Sequence, residues 1–234
     1  MTAKAIIFVG PSLLRDDLLR IQGIPNIAVR PPIRRGDLPS IREDQVSMVS
    51  IIDGDFYQNL AVSPKEILDA MRRGITVVGG ASMGALRAAE LSIYGMIGVG
   101  TIFTWYRTRR VTRDDDVAIL YAPYAARYMT LTVPMVNVIW VLDQGKTLGW
   151  LSPNSHRRLL LAARHIHWTK RQWPSVLARA RVSDQERTAV RDFVSDPEHD
   201  LKRLDALEVV RYTGNMLQDC IRTQTPQIAA NSTH

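Results

Sequence analysis

Four short, mostly apolar runs mark the first half of the chain: residues 5–9, 27–29, 46–52 and 75–78. Between them apolar positions recur at helical spacing, over 16–21, 63–73 and 83–91. Runs that do not alternate with polar residues suit strands covered on both faces, and strands separated by helices suit a parallel sheet. The punctuation agrees. Gly10-Pro11 ends the first run, Gly23 and Pro25 close the first helix, and Pro31-Pro32 follows the second run. Ser63-Pro64-Lys65-Glu66 opens a helix well: Ser63 can cap it, Pro64 suits its first turn, and Glu66 completes an S-x-x-E box. Beyond residue 123 strand-like runs vanish and helical spacing dominates to residue 222, most clearly over 154–167 and 184–194. The expected fold is α/β: an open, mostly parallel sheet with flanking helices, a Rossmann-like three-layer arrangement, followed by a helical C-terminal half. Residues 1–123 are expected to form the core, 124–222 a helical extension packed on it, and 223–234 a disordered polar tail.

In open parallel sheets, ligands bind outside the carboxyl ends of the strands. Four segments fall there: Gly10-Pro11-Ser12, the loop 30–35, Asp53-Gly54-Asp55, and the stretch 79–84. All four are expected to line one crevice.

Composition narrows the class. The chain of 234 residues is 46% hydrophobic and 23% charged, ordinary values for a globular protein. The single cysteine, Cys220, excludes an internal disulfide and fits a reducing compartment. The first apolar run stops at Gly10, too early for a secretory signal, and no stretch approaches the ~18 apolar residues of a spanning helix. A soluble, cytoplasmic protein without membrane contact is expected. The net charge of +7 comes with basic pairs such as Arg34-Arg35, Arg72-Arg73 and Arg109-Arg110. That excess suits an acidic partner, although scattered arginine equally suits solvated helix faces. Nucleic-acid binding has no support beyond charge, because no reading motif accompanies it.

The candidate chemistry centres on Gly80-Ala81-Ser82-Met83-Gly84, a G-x-S-x-G between an apolar run and a helix. A strand, a tight turn and a helix N-terminus are what a nucleophile elbow requires. Ser82 would be the nucleophile, the Met83 amide an oxyanion donor, and Gly80 and Gly84 would permit close approach. Two plainer readings stand beside this one: a glycine turn with Ser82 capping the helix, and an anion site without covalent chemistry. A Ser-His-Asp triad would need His165 or His167 to fold over the crevice from the helical half. Lys65 is the alternative base, since a desolvated lysine at a helix start has a lowered pKa; a surface position is its ordinary alternative. Arg87 could hold a substrate carboxylate or phosphate, or simply pair with Glu90 three residues on. Asp53 and Asp55 flank Gly54 as an Asx turn would. Asp114-Asp115-Asp116 reads as a turn or cap before a metal site, and no Cys/His metal spacing exists. No metal or other cofactor is expected.

Several segments together resemble the TfuA family. They are Phe8-Val9-Gly10-Pro11-Ser12, the Pro-Pro loop ending in Gly36-Asp37, Ile51-Ile52-Asp53-Gly54, Lys65-Glu66-Ile67-Leu68, and above all the block from Gly80-Ala81-Ser82-Met83-Gly84 through Arg87-Ala88-Ala89-Glu90-Leu91. Gly95-Met96-Ile97-Gly98-Val99-Gly100 and the acidic run before Val117 belong to the same likeness, which covers residues 6–123. The resemblance implies a role in peptide-backbone thioamide formation. Such proteins act with YcaO-type enzymes and supply sulfide by hydrolysing a thiocarboxylated, ubiquitin-like carrier of the ThiS type; the precursor peptide is a further partner. In such a hydrolase Ser82 would be the nucleophile, Lys65 the base, the Met83 amide with a group of the first loop the oxyanion hole, and Arg87 would orient the substrate. Gly10, Pro11, Ser12, Asp53, Gly80, Gly84, Glu90 and Tyr121 would bind substrate. Two positions depart from the family pattern: Pro64 and Tyr121 stand where relatives often carry histidine. The base would then be Lys65, Tyr121 or a carboxylate, or hydrolysis is lost and a non-catalytic adaptor of YcaO or its peptide remains.

Overall fold

The computed structural model describes residues 4–56, 60–122 and 128–224. The tail expected to be disordered lies, from 225 on, outside the described residues. Five strands, β1 (Ala5–Phe8), β2 (Ile27–Arg30), β3 (Met48–Ile51), β4 (Thr76–Gly80) and β5 (Ile97–Val99), form one sheet in the order β2-β1-β3-β4-β5. Every pairing is parallel. The first four strands are the four apolar runs. β5 hides in sequence behind flanking glycines, and Gly98 within it is required because a Cβ there would run into the Phe103 ring.

Alternate residues of each strand face opposite layers. Ala5 and Ile7 of β1 pack with Ile21 of α1 (Arg15–Gln22) and with Ala206, Val209 and Leu217 of α9 (Leu201–Gln224). Ile6 and Phe8 pack on the other side with Ile67 of α2 (Pro64–Arg72) and Ala88 and Leu91 of α3 (Met83–Leu91). Both faces are dry, which is why the strands read as continuous apolar runs. At α2 the capping box forms as its sequence requires: Glu66 N–H donates to Ser63 Oγ, and the Glu66 carboxylate accepts from Ser63 N–H at 2.9 Å.

The remaining helices are α4 (Thr101–Arg107), α5 (Met135–Thr147), α6 (Pro153–Arg164), α7 (Trp173–Arg179) and α8 (Asp184–Ser195). Val136, Leu142, Leu159, Val176 and Val190 close a second core among α5–α8. α5–α8 share that cluster with Ile102 and Trp105 of α4 and Leu201 at the start of α9, while the rest of α9 joins the layer that covers the sheet. A buried hydrogen bond of 2.6 Å between Ser50 of β3 and Thr213 of α9 ties that helix down. Among the described residues no helix is long and apolar enough to cross a membrane.

Candidate functional site

The carboxyl ends of β1 and β3 are adjacent, and their loops share one carboxylate. Asp53 Oδ2 accepts from the amides of Gly10 and Ser12, both at 2.9 Å, and Oδ1 accepts from Ser12 Oγ at 2.6 Å. Ser12 and Asp53 are buried. A Cβ on Gly10 would lie 2.5 Å from Pro32 Cγ, so the residue must be glycine for the second loop to close over the first. Lys202 of α9 comes to the same place: its Nζ lies 3.9 Å from Asp53 Oδ1 and donates to the Val117 carbonyl at 3.3 Å. Burial depresses its ammonium, and Asp53 opposes that effect. Further along the edge, Ile33 bridges Gly54, and Gly84 N–H donates to Ile52 O at 3.3 Å. The four strand-end segments thus do gather on one edge.

The turn from β4 into α3 is strained. Ala81 has φ 62°, the left-handed region that a β-carbon disfavours, and Ser82 N–H donates to Gly80 O at 2.9 Å across it. Strain of this kind costs about 1–3 kcal/mol and persists where the surroundings enforce it. Ser82 is only 2% exposed, and its side chain does not cap α3. Its hydroxyl makes no hydrogen bond among the described residues, yet no fully buried side-chain oxygen there lacks a partner. The hydroxyl therefore keeps a small accessible surface. The Met83 N–H has no acceptor among the described residues, while its side chain is buried. Both motif glycines have packing reasons: a Cβ on Gly80 would lie 2.6 Å from Val99 O, and one on Gly84 would overlap the Ile51 carbonyl.

Other candidates are held differently from expectation. Lys65 is exposed on the first turn of α2 and makes no ion pair among the described residues, so the desolvation expected of a lysine base is absent. The Arg87 guanidinium is spent on structure: Nε donates to Val62 O at 3.0 Å and Nη1 to Glu90 at 2.7 Å. Glu90 has the i,i+3 role its spacing allows. The Gly10 and Ser12 amides serve Asp53, so the first loop does not offer them as oxyanion donors to Ser82. Tyr121 donates to Asp55 Oδ1 at 2.6 Å, and Asp55 also accepts from Arg34 Nε at 2.6 Å. Burial, with Asp55 beside it, pushes the Tyr121 phenol well above its ordinary range, which unsuits it as a base near neutrality. His165 and His167 line a separate cavity of about 360 Å3 with Asp115, Asp116 and Arg171, and Ser82 does not reach it. Asp114–Asp116 form a 3-10 turn in which Asp116 accepts from the Arg113 amide.

Two charged residues of α9 escape sequence reasoning. Lys202 and Asp205 sit in a stretch whose local spacing gives no sign that either is buried; only their placement three apart on an otherwise core-facing helix hints at it. Asp205 receives the amides of Thr101 at 3.0 Å and Ile102 at 2.7 Å, capping α4 from across the fold. Burial pushes its carboxyl from an ordinary 3.8 up to about 7, against the pull of those two amides. The native state then holds a proton that the unfolded chain releases, so the stabilisation is complete below pH 3.8 and lost as pH rises through about 7. Between pH 4 and 8 wild type should lose on the order of 4 kcal/mol more than Asp205→Asn. Urea unfolding of both proteins across that range measures the difference, and parallel profiles would refute it.

Fold and edge together define a parallel α/β protein whose polar residues converge at the carboxyl ends of its strands, with the β4–α3 turn as a second polar feature of that edge. Residues 53–172 match the family model described as TfuA-like protein, and the chain belongs to that family. The match extends further into the helical half than the segments legible by eye, and begins at Asp53. No curated protein matches the chain. The TfuA-like family is associated with YcaO systems that form thioamides.

Proposed function

We propose that the protein supplies sulfur for peptide-backbone thioamidation by releasing sulfide from a thiocarboxylated, ThiS-type carrier to a YcaO enzyme. The observation that carries this reading is the strained turn at Ala81, which sets the Ser82 hydroxyl beside the Met83 amide at the start of α3, both without a partner among the described residues. In this reaction Ser82 Oγ attacks the thiocarboxylate carbon, and the Met83 N–H stabilises the oxyanion. The C–S bond then breaks. The serine proton passes to the departing sulfur, which leaves as hydrosulfide, and the carrier remains as a serine ester. Water cleaves that ester to a carboxylic acid and restores Ser82. The anionic sulfur is itself a proton acceptor, so attack does not require Lys65. The basic surface suits an acidic carrier.

Sulfide release from thiocarboxylated carrier, without YcaO, tests the reading. Wild type should release it, and Ser82→Ala should lose about 100-fold or more in rate while melting as wild type does. Equal release by both proteins would remove Ser82 from the chemistry. A second reading, a non-catalytic adaptor for YcaO or its precursor peptide, draws on the lack of any basic side chain bonded to Ser82 among the described residues. It predicts no sulfide release in this assay and stimulation of YcaO by wild type and Ser82→Ala alike.

A further inference from the structure

The sheet reverses its winding between β1 and β3, since β2 lies on one side of β1 and β3 on the other. Open α/β sheets hold ligands above such a reversal. A cavity of about 230 Å3 lies there, walled by Pro11 of the first loop, by α5, and by the chain leading into α9. Ser82 does not line it, so binding here is independent of the chemistry proposed for that serine.

Lys202 lines this cavity with its side chain 4% exposed. An ammonium carries three donors. One goes to Val117 O, and among the described residues no other acceptor lies within hydrogen-bond distance, Asp53 being 3.9 Å away. Asp53 does not need it, because three donors already serve that carboxylate. Asn137 supplies the second group. Its Oδ1 accepts from the Lys202 backbone N–H at 3.2 Å, so its amide nitrogen turns the other way. That nitrogen has no partner among the described residues, and no fully buried side-chain nitrogen there is unsatisfied, so it faces the open space.

Val133, Val141 and Trp173 make part of the wall apolar, and Thr130, Thr132 and His199 make part of it polar. Asp196 and Asp200 also line it, but each accepts a backbone N–H, from Glu198 and Arg203 respectively. One cation with a neutral donor beside it, and two carboxylates nearby, suits one negative charge and disfavours two. The volume falls below that of pockets for drug-sized ligands.

We propose that this cavity binds a small monocarboxylate with a short peptide-like or apolar body, its carboxylate held by Lys202 Nζ and the Asn137 side-chain amide. An entering carboxylate supplies the acceptor that Lys202 lacks and offsets the burial that depresses its ammonium.

The test titrates the 15N-labelled full chain with N-acetylglycine, N-acetylglycinamide and inorganic phosphate. N-acetylglycine should shift the Asn137 side-chain amide, the Trp173 indole and the Lys202 amide saturably at millimolar concentration. The uncharged amide analogue should leave them in place, and phosphate should bind more weakly than N-acetylglycine. Lys202→Met, which keeps the stem and removes the charge, should weaken N-acetylglycine about tenfold or more. The wild-type titration stands alone if that variant fails to fold. Equal binding of the amide analogue, tighter binding of phosphate, unchanged affinity in a folded Lys202→Met, or no shift at Asn137 and Trp173 would each overturn the proposal.

Discussion

Replacing Asp53 with alanine is expected to lower the unfolding free energy by about 3–5 kcal/mol. Three donors, the amides of Gly10 and Ser12 and the Ser12 hydroxyl, lose their acceptor in a buried setting. Lys202 loses the only carboxylate within 4.0 Å of its ammonium among the described residues. The loss is large against a typical stability of about 5–15 kcal/mol. Asp53→Asn should cost less, because its oxygen can still accept from the Gly10 and Ser12 amides while its NH2 donates to the Ser12 hydroxyl, but the charge facing Lys202 is lost. The effect should be asymmetric. Lys202→Met leaves Asp53 with all three of its hydrogen bonds, so it should cost less than Asp53→Ala. Combining the two should recover about 1 kcal/mol or more relative to the sum of the single losses, since the double variant buries no orphaned charge. Urea unfolding of the four proteins measures the cycle. Strict additivity would mean that the Val117 carbonyl, and not Asp53, holds Lys202.

Gly84→Ala should be comparably severe for a different reason. A Cβ there would overlap the Ile51 carbonyl oxygen and lie 2.6 Å from its carbon. Neither atom can swing aside, because both belong to β3 at the centre of the sheet. The helix α3 would have to retreat, breaking the Gly84 N–H bond to Ile52 O and opening space around Met83, Ala85 and Ala88, all buried. Overpacking of this kind costs about 1–3 kcal/mol where side chains can yield, and more where backbone meets backbone. We expect at least ~3 kcal/mol by urea unfolding. A variant within 1 kcal/mol of wild type would show that α3 slides freely on the sheet. The expected loss also bears on the motif: Gly80 and Gly84 are demanded by packing whether or not Ser82 reacts.

Much of the fold was legible because burial on both faces leaves a local trace. The first four strands appear as unbroken apolar runs, and Ser63 with Glu66 sets the start of α2 by chemistry contained in four residues. β5 was not legible. It is short, half glycine-flanked, and depends on the Phe103 ring for its shape. The candidate site was legible in part. Gly10, Ser12 and Asp53 come together because a parallel sheet brings strand ends to one edge whatever the loops contain. Lys65 and Arg87 stand out by residue type and by nearness in sequence to strand ends, neither of which sets exposure or partners. One proves exposed, and the other is bound to Val62 and Glu90.

The amino-acid sequence by itself determined the parallel α/β class, the helix starts, the segments that meet at the carboxyl edge and the family. Each rests on local periodicity, on turn residues or on a contiguous motif. Only the tertiary structure decided which charges are buried. Lys202 is 149 residues from Asp53, and Asp205 is 104 from the Thr101 amide it caps. Desolvation and Coulomb attraction act through space, so a charge's role depends on which distant element covers it. Here that element is α9, which closes the layer over the sheet.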